Sequence, residues 1–391
     1  MPRRVGRPLI TAVTVALLGV PVLVPSATAS PFPGSRADRG VPEAGLVLAS
    51  DAVAAVGGVA STVLAERVER ALIAVGGAAV TVKLPGPRRA AVPKAAGPTW
   101  RWNGWVSGAA GPETDDGTFA AFRGEPLGIV GVWSDTSAES QTSMGTLKAY
   151  DDYVGEIDIA VGGLVRGETW AQAAAGRFVG RWTTAVRTIK AHRAGKGTTY
   201  IRIAHEMNGD WMAWGVTSKN LAAFKKGYRL YASIIRKEFH EARITFSPNS
   251  GNHTDVSIDK LWPGDDITDV IGPDYYDWDN DVASPASWKQ ETNAWLVPKV
   301  TPTGLAAWRE YAERRGKPIA MPEWGLPMGD DPQWITYVHD YMARYAAGRG
   351  STNVAGRFVY DVYFNAEPKF KLLGGDNPRA GAAYAKLTWG K

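Results

Sequence analysis

The fold is decided by Tyr200-Ile201-Arg202-Ile203-Ala204-His205-Glu206-Met207-Asn208-Gly209-Asp210-Trp211-Met212-Ala213-Trp214-Gly215, read together with the helical stretch Leu221–Phe239 that follows. The first five residues form an apolar, β-branched run. The next ten are polar and aromatic. From Leu221, apolar residues recur at 221, 224, 228, 231, 234, 235 and 239, close to a period of 3.6. Strand, functional turn and amphipathic helix therefore follow one another within about forty residues. Working outward, the same alternation recurs. Strand-like runs fall at Trp105–Ser107, Leu127–Trp133, Glu156–Val161, Tyr200–Ala204, Arg243–Ser247, Asp269–Tyr276, Pro318–Glu323 and Arg357–Phe364. Helix-period stretches fall at Phe119–Phe122, Trp170–Lys190, Leu221–Phe239, Ile258–Trp262, Gly304–Arg314, Pro332–Ala346 and Pro378–Leu387. Eight such units in about 290 residues predict an α/β fold, a (β/α)8 TIM barrel. A doubly wound open sheet is the alternative, but no Gly-rich phosphate fingerprint follows any strand.

Composition places this domain within the chain. All sixteen Trp of the 391 residues lie between Trp100 and Trp389, which marks 99–391 as the catalytic-sized unit. Residues 30–98 are rich in Ala, Val, Gly and Pro, and residues 83–99 form the basic, Pro-rich stretch KLPGPRRAAVPKAAGPT. They read as a low-complexity segment and tether, with loose attachment to an anionic cell-wall polymer as the functional alternative. Residues 1–29 carry three arginines, an apolar run over 9–24 and then Ala27-Thr28-Ala29. This order is that of a secretory signal peptide cut after Ala29. The expected product is secreted, extracellular or wall-associated, a monomer, and without a membrane span after processing. Arg3-Arg4 is compatible with twin-arginine export. Beyond residue 29 the chain holds 41 basic against 39 acidic residues, a near-neutral balance that gives no reason to expect a nucleic-acid partner. With no Cys, disulfides, thiolate nucleophiles and Cys-ligated metals are excluded.

Barrel chemistry sits at the C-terminal ends of the strands. Glu206 closes the fourth strand and Glu323, in Met321-Pro322-Glu323-Trp324-Gly325, closes the seventh. Two carboxylates facing each other across a barrel mouth suit glycoside hydrolysis, one protonating the leaving oxygen and the other attacking or activating water. A cleft for sugar also needs flat aromatic faces; Trp211, Trp214, Tyr276, Trp278, Trp324, Tyr363 and Phe364 lie just past predicted strand ends. In the strand alternation Arg202, Ala204 and Glu206 share one parity and His205 has the other.

Arg202…His205-Glu206-Met207-Asn208-Gly209…Trp211…Trp214, with Met321-Pro322-Glu323-Trp324-Gly325, resembles glycoside hydrolase family 26, within the large clan of retaining (β/α)8-barrel hydrolases. The likeness covers residues 100–391. It implies that Glu206 is the general acid/base and Glu323 the nucleophile, that His205 organises the site beside the acid/base, and that Trp211 lines the sugar site. Asp269-Val270-Ile271-Gly272-Pro273-Asp274-Tyr275-Tyr276 is similar to the family's sixth strand, which implies that Tyr276 bonds the nucleophile with Asp274 nearby. Arg202, Trp324 and Phe364 complete the set of substrate-binding candidates, Arg202 either aligning the nucleophile or serving as an interior ion-pair partner. Phe364, or Tyr363, stands where many relatives place a Trp, and the third strand lacks a His found in some mannan-cleaving members. The substrate implied is a β-linked polysaccharide, with β-1,4-mannan as the family default and mixed-linkage β-glucan, β-1,3-xylan or a surface glycan as alternatives. No cofactor and no metal are expected.

Rival readings are weaker. A zinc protease needs a second His where Gly209 stands. Asp277-x-Asp279-x-Asp281 opens like a calcium loop, but Val282 and Trp288 replace the Gly and Glu that an EF-hand needs, leaving only a loosely bound loop calcium. Asp135, after the second strand, is a candidate sugar contact. Ser134 and Ser137 lack the Gly-x-Ser-x-Gly elbow of a serine esterase. Trp182, Trp288, Trp295 and Trp308 read as packing residues. A non-catalytic polysaccharide-binding barrel would keep the aromatics and lose a carboxylate; both are present.

Overall fold

The structure, a computed structural model, describes residues 100–134, 137–278 and 284–390, together with a short backbone pairing of Ala16–Leu17 with Val20–Pro21. The expected signal peptide (1–29), the N-terminal segment (30–98), Asp135 and the aspartates 279 and 281 lie outside the described side chains. Among the described residues, no helix is long and apolar enough to cross a membrane.

Eight strand positions pair in parallel and in sequence order, and the last pairs back on the first, closing a barrel. They are β1 (Val106–Ala110), β2 (Ile129–Ser134), β3 (Glu156–Val161), β4 (Thr199–Ile203), β5 (Arg243–Phe246), β6 (Val270–Ile271 and Asp274–Tyr276), β7 (Ile319–Gly325) and β8 (Phe358–Phe364). The helices are α1 (Thr118–Arg123), α2 (Ala138–Ser143), α3 (Trp170–Ala174), α4 (Val179–Arg193), α5 (Leu221–Glu238), α6 (Ile258–Leu261), α7 (Pro285–Thr292), α8 (Leu305–Arg314), α9 (Pro332–Arg344) and α10 (Pro378–Tyr384). A small antiparallel hairpin, Trp295–Val297 with Thr301–Pro302, stands between α7 and α8. The chain is thus an α/β (β/α)8 barrel.

The strands are buried on both faces, as parallel strands under helices must be. Between strands and helices lies an apolar, aromatic layer. In α5, Phe224, Tyr228, Tyr231, Ala232 and Ile235 turn inward, and Tyr231 stacks on Trp182 of α4 at 4.5 Å. Gly227 is small because Trp170 of α3 crosses there; a Cβ would come within 2.9 Å of its ring. The barrel interior combines polar groups with an apolar cluster of Ile129, Val270, Ala320 and Val362. At its floor Arg243 lies 4.0 Å from the Trp102 ring and donates to Tyr200, which donates to Glu156.

Four local expectations change. The first strand runs 106–110 rather than 105–107. The single helix expected over 170–190 is two, α3 and α4, parted at Gly176, whose φ of 84° is left-handed. The short helices α2 and α7 carry no strong hydrophobic period and form behind the side-chain caps Ser137 and Ser284. β6 breaks at Gly272-Pro273: Pro273 offers no N–H to a ladder, and the second piece pairs only with β7 within the sheet.

Candidate active site

Glu206 stands not on β4 but on the tight loop beyond it. The extended register ends at Ile203, and Ala204 and Glu206 take φ of 49° and 51°. Non-glycine residues adopt this left-handed region at a cost, on the order of 1 kcal/mol or more each, and only where the surroundings over-determine it. Here they do. Ala204 N–H donates to Val161 O at 2.8 Å, Glu206 N–H to Ser247 O at 2.7 Å, and the Trp214 indole to His205 O at 2.6 Å. The parity expected for Arg202, Ala204 and Glu206 therefore does not extend past the strand: Arg202 points into the barrel, and Glu206 reaches the mouth by the turn.

The Glu206 carboxyl group accepts one hydrogen bond on each oxygen. Trp211 Nε1 donates to Oε2 at 2.7 Å and Asn249 Nδ2 to Oε1 at 2.7 Å. Burial, and then the charge of Glu323, raise its pKa to about 7, against the lowering effect of those two donors. A carboxyl group so placed can hold a proton near neutral pH.

Glu323 is on β7, in register with Asp274 and two residues short of Gly325, which pairs Tyr276. Tyr276 therefore shares its face, and the Tyr276 hydroxyl donates to Glu323 Oε1 at 2.5 Å. Burial first and Glu323 second push the Tyr276 phenol well above its ordinary range, so it remains a donor. Arg202 approaches Glu323 Oε2 at 3.4 Å and also donates to Asp158 at 2.6 Å and Asp274 at 3.1 Å. Burial opposes the charge on Arg202, but these three carboxylates hold it firmly protonated. This one geometry contains the contacts of both roles weighed for Arg202, an approach to Glu323 and ion pairs within the barrel.

Some expected substrate contacts are placed elsewhere. Trp324 is fully buried among Trp334, Tyr363 and Trp389, with its indole donating to Asp361. Neighbouring strand residues face opposite ways, so a β7 that aims Glu323 at the mouth sends Trp324 to the helices. Asp274 and Arg202 are also sealed from the cleft, at 0% and 1% exposed; Arg202 contacts Glu323 from beneath, and Asp274 is bonded to Arg202. His205 is buried under the loop against Trp214; burial, then Arg202, lower its pKa well below the usual imidazole value and keep it neutral. Trp214 and Tyr363 are core residues too. His205, Asp274 and Glu323 bring ligand atoms within 4.8 Å of one another, a donor set of metal type, but the Arg202 guanidinium already supplies the positive charge to both carboxylates.

Above these groups opens a cleft of about 710 Å³. Glu206, Glu323, Trp211, Tyr276 and Phe364 line it. Trp211 and Trp278, also in the lining, are 49% and 47% exposed. Phe370 joins Tyr276 and Phe364 in an aromatic cluster, edge-to-face between Phe364 and each of the other two rings. Sequence reasoning missed Asn249, His253 and Phe370. Asn249 lies three residues past β5, so the strand-end rule reaches it; His253, at 4.9 Å from the Trp211 ring, and Phe370 sit on longer loops with no such signal.

Residues 193–309 match the sequence profile described as Glycosyl hydrolase family 26. The chain resembles that family in this segment. A mannan endo-1,4-beta-mannosidase of Bifidobacterium adolescentis is 31% identical over 129 residues, which are 32% of this chain and 12% of that protein; the chain therefore spans about an eighth of the curated relative it matches. Among solved structures, a modular endo-beta-1,4-mannanase from Cellulomonas fimi is 18% identical, with 74% of this chain and 71% of that one covered and a TM-score of 0.52. An engineered protein is likewise 18% identical, with 73% and 70% covered and a TM-score of 0.51. At these identities the structural likeness is one of fold.

Proposed function

We propose that the chain is a secreted retaining endo-β-glycoside hydrolase that cleaves a β-linked polysaccharide, β-1,4-mannan first among the candidates, by double displacement. The observation that carries the reading is the pair of carboxyl groups facing one aromatic cleft in different environments. Glu206 is a proton holder near pH 7, and Glu323 is oriented by Tyr276 and Arg202. Two carboxyl groups with contrasting surroundings are what acid and nucleophile roles require.

In the first step Glu323 attacks the anomeric carbon, the bond to the leaving oxygen breaks, and Glu206 gives its proton to that oxygen. In the second, Glu206 as carboxylate takes a proton from water, the water oxygen attacks the same carbon, and Glu323 leaves. Two inversions give retention, for which the carboxyl groups stand about 5–5.5 Å apart. Both steps use protons and carboxylates alone, so the reaction as written calls for no cofactor. Trp211 and Trp278 offer stacking faces along the cleft, as internal cleavage of a long chain needs.

Mannan is supported by the name of the relative that is 31% identical over 129 residues, while the His205-Glu206 motif supports the family rather than one substrate. Mixed-linkage β-glucan, β-1,3-xylan and surface glycans are the other candidates. A screen of defined polysaccharides with product analysis tests the reading. Short oligosaccharides from mannan are expected; no product from any β-glycan would leave a non-catalytic polysaccharide-binding barrel. Secretion rests on residues 1–29, and N-terminal sequencing of exported protein is expected to begin at Ser30.

A further inference from the structure

Glu206 has two hydrogen-bonding neighbours, and toward it both are donors only. The Trp211 indole has no acceptor. Asn249 has one, but its Oδ1 is taken by Gly251 N–H at 2.9 Å, which leaves Nδ2 facing Glu206. The Asn249 backbone is itself clamped. Its N–H donates to Asn208 Oδ1 at 2.8 Å, and Asn208 Nδ2 donates to Asn249 O at 2.9 Å and Gly251 O at 2.6 Å. A side chain from the acid/base loop thus fixes the loop after β5, and that loop returns an N–H to the carboxyl group. Asn249 is 5% exposed and borders the cleft.

We propose that Asn249, locked by Asn208 and Gly251, is a positioning residue that holds the Glu206 carboxyl group in one orientation, favours its carboxylate form for the base step and leaves its acid proton no direction but the cleft. This rests on the reading of Glu206 as acid/base. The logic is one of matched polarity. A neutral carboxyl group has a single O–H; with N–H donors beside both oxygens and no acceptor on either neighbour, that O–H turns to the open side, where a leaving oxygen would sit. A carboxylate, in contrast, is satisfied by both donors. The same arrangement therefore serves both halves of the cycle.

The test is a titration of Glu206 by ¹³C NMR of the full chain carrying glutamate labelled at the carboxyl carbon, its signal assigned by its loss in Glu206→Gln. Asn249→Ala is expected to move the titration upward by about one pH unit, a roughly tenfold change in proton affinity. Asn249→Asp keeps the side-chain shape and the bond to Gly251 N–H but sets an acceptor against Glu206, and is expected to move it further in the same direction. The alkaline limb of kcat/KM should follow by the same amount. Unmoved or lowered titration in the folded variants overturns the proposal, as does loss of folding in both, which would make Asn249 structural. The titration needs no turnover, so a wild-type chain inert on every glycan would sink the hydrolase reading and leave this result standing.

Discussion

Arg202→Met removes the positive charge that pairs with Glu323 from beneath while keeping an apolar stem of similar reach. The cost follows from what is left. Arg202 is 1% exposed and bonded to Asp158, Asp274 and Glu323. Removing one partner of a buried ion pair costs about 3–5 kcal/mol, because the remaining charges stay buried and unpaired. In a domain of this size that corresponds to roughly 2 °C in Tm per kcal/mol, hence a fall of ~6–10 °C. The loss must depend on pH, with a definite sign. Burial raises Asp158 to about 6 even with Arg202 present. A carboxyl group whose folded pKa lies above its unfolded value binds more protons in the folded state, so stability falls as pH rises from the unfolded to the folded pKa. For wild-type Asp158 that window runs from about 4 to about 6. Without the guanidinium it extends upward, and each extra proton held by the folded variant adds about 1.4 kcal/mol of loss per pH unit. The assay is denaturant or thermal unfolding of both proteins at pH 5 and pH 8. The deficit of Arg202→Met should be small at pH 5 and full at pH 8. An equal deficit at both would refute the account of Arg202 as the counter-ion of a buried carboxylate cluster.

The other predictions concern catalysis. Glu206→Ala should still react with aryl glycosides bearing a good leaving group, accumulate a glycosyl-enzyme on Glu323 and be rescued by azide with retained configuration, whereas Glu323→Ala should give the opposite anomer if rescued; mass spectrometry of the adduct and NMR of the product decide this. Trp211→Ala should weaken polysaccharide binding by about tenfold, since the ring is half exposed in the cleft and such aromatic contacts contribute on the order of 1 kcal/mol; it should also raise the Glu206 titration by removing a donor, and normal activity with a large drop in Tm would make Trp211 structural. Glu206 must be protonated for the first step, so kcat/KM should fall above about pH 7, and a profile flat to pH 9 would assign the acid elsewhere.

The barrel was legible because parallel strands covered on both faces are written as continuous apolar, β-branched runs, and β3 matches its run residue for residue. That Glu206 and Glu323 would face one cleft was legible because strand ends converge at the barrel mouth. The aromatic wall was less so, and for two different reasons. Trp324 and Tyr363 could have been sorted by alternation alone: each neighbours a residue that faces the cleft, Glu323 or Phe364, and so must face away. Trp214 could not, since it lies in a loop where no period operates; its burial depends on a hydrogen bond to His205 O. The same holds for Glu206. Two left-handed residues carry it to the mouth, and nothing in Ala204-His205-Glu206 announces that conformation, because it is held by Val161 at the end of β3 and Ser247 just past β5.

The polar network inside the barrel is the remaining feature that fold physics does not require. A barrel can be filled by layers of Val, Ile and Leu; this one places Asp158, Arg202, Thr245 and Tyr360 at mid-height, joined by Tyr360 donating to Asp158 at 2.8 Å and sharing a hydrogen bond with Thr245 at 3.0 Å. Buried ion pairs of this kind are often neutral or unfavourable for stability against apolar residues of equal volume. The network makes sense as a support for its uppermost member. Asp158 and Asp274 hold the guanidinium from two sides, so that its remaining N–H groups can only point up at Glu323. Three of the four ionic groups thus lie below the cleft and never meet a ligand, and their arrangement decides the direction from which the fourth would attack.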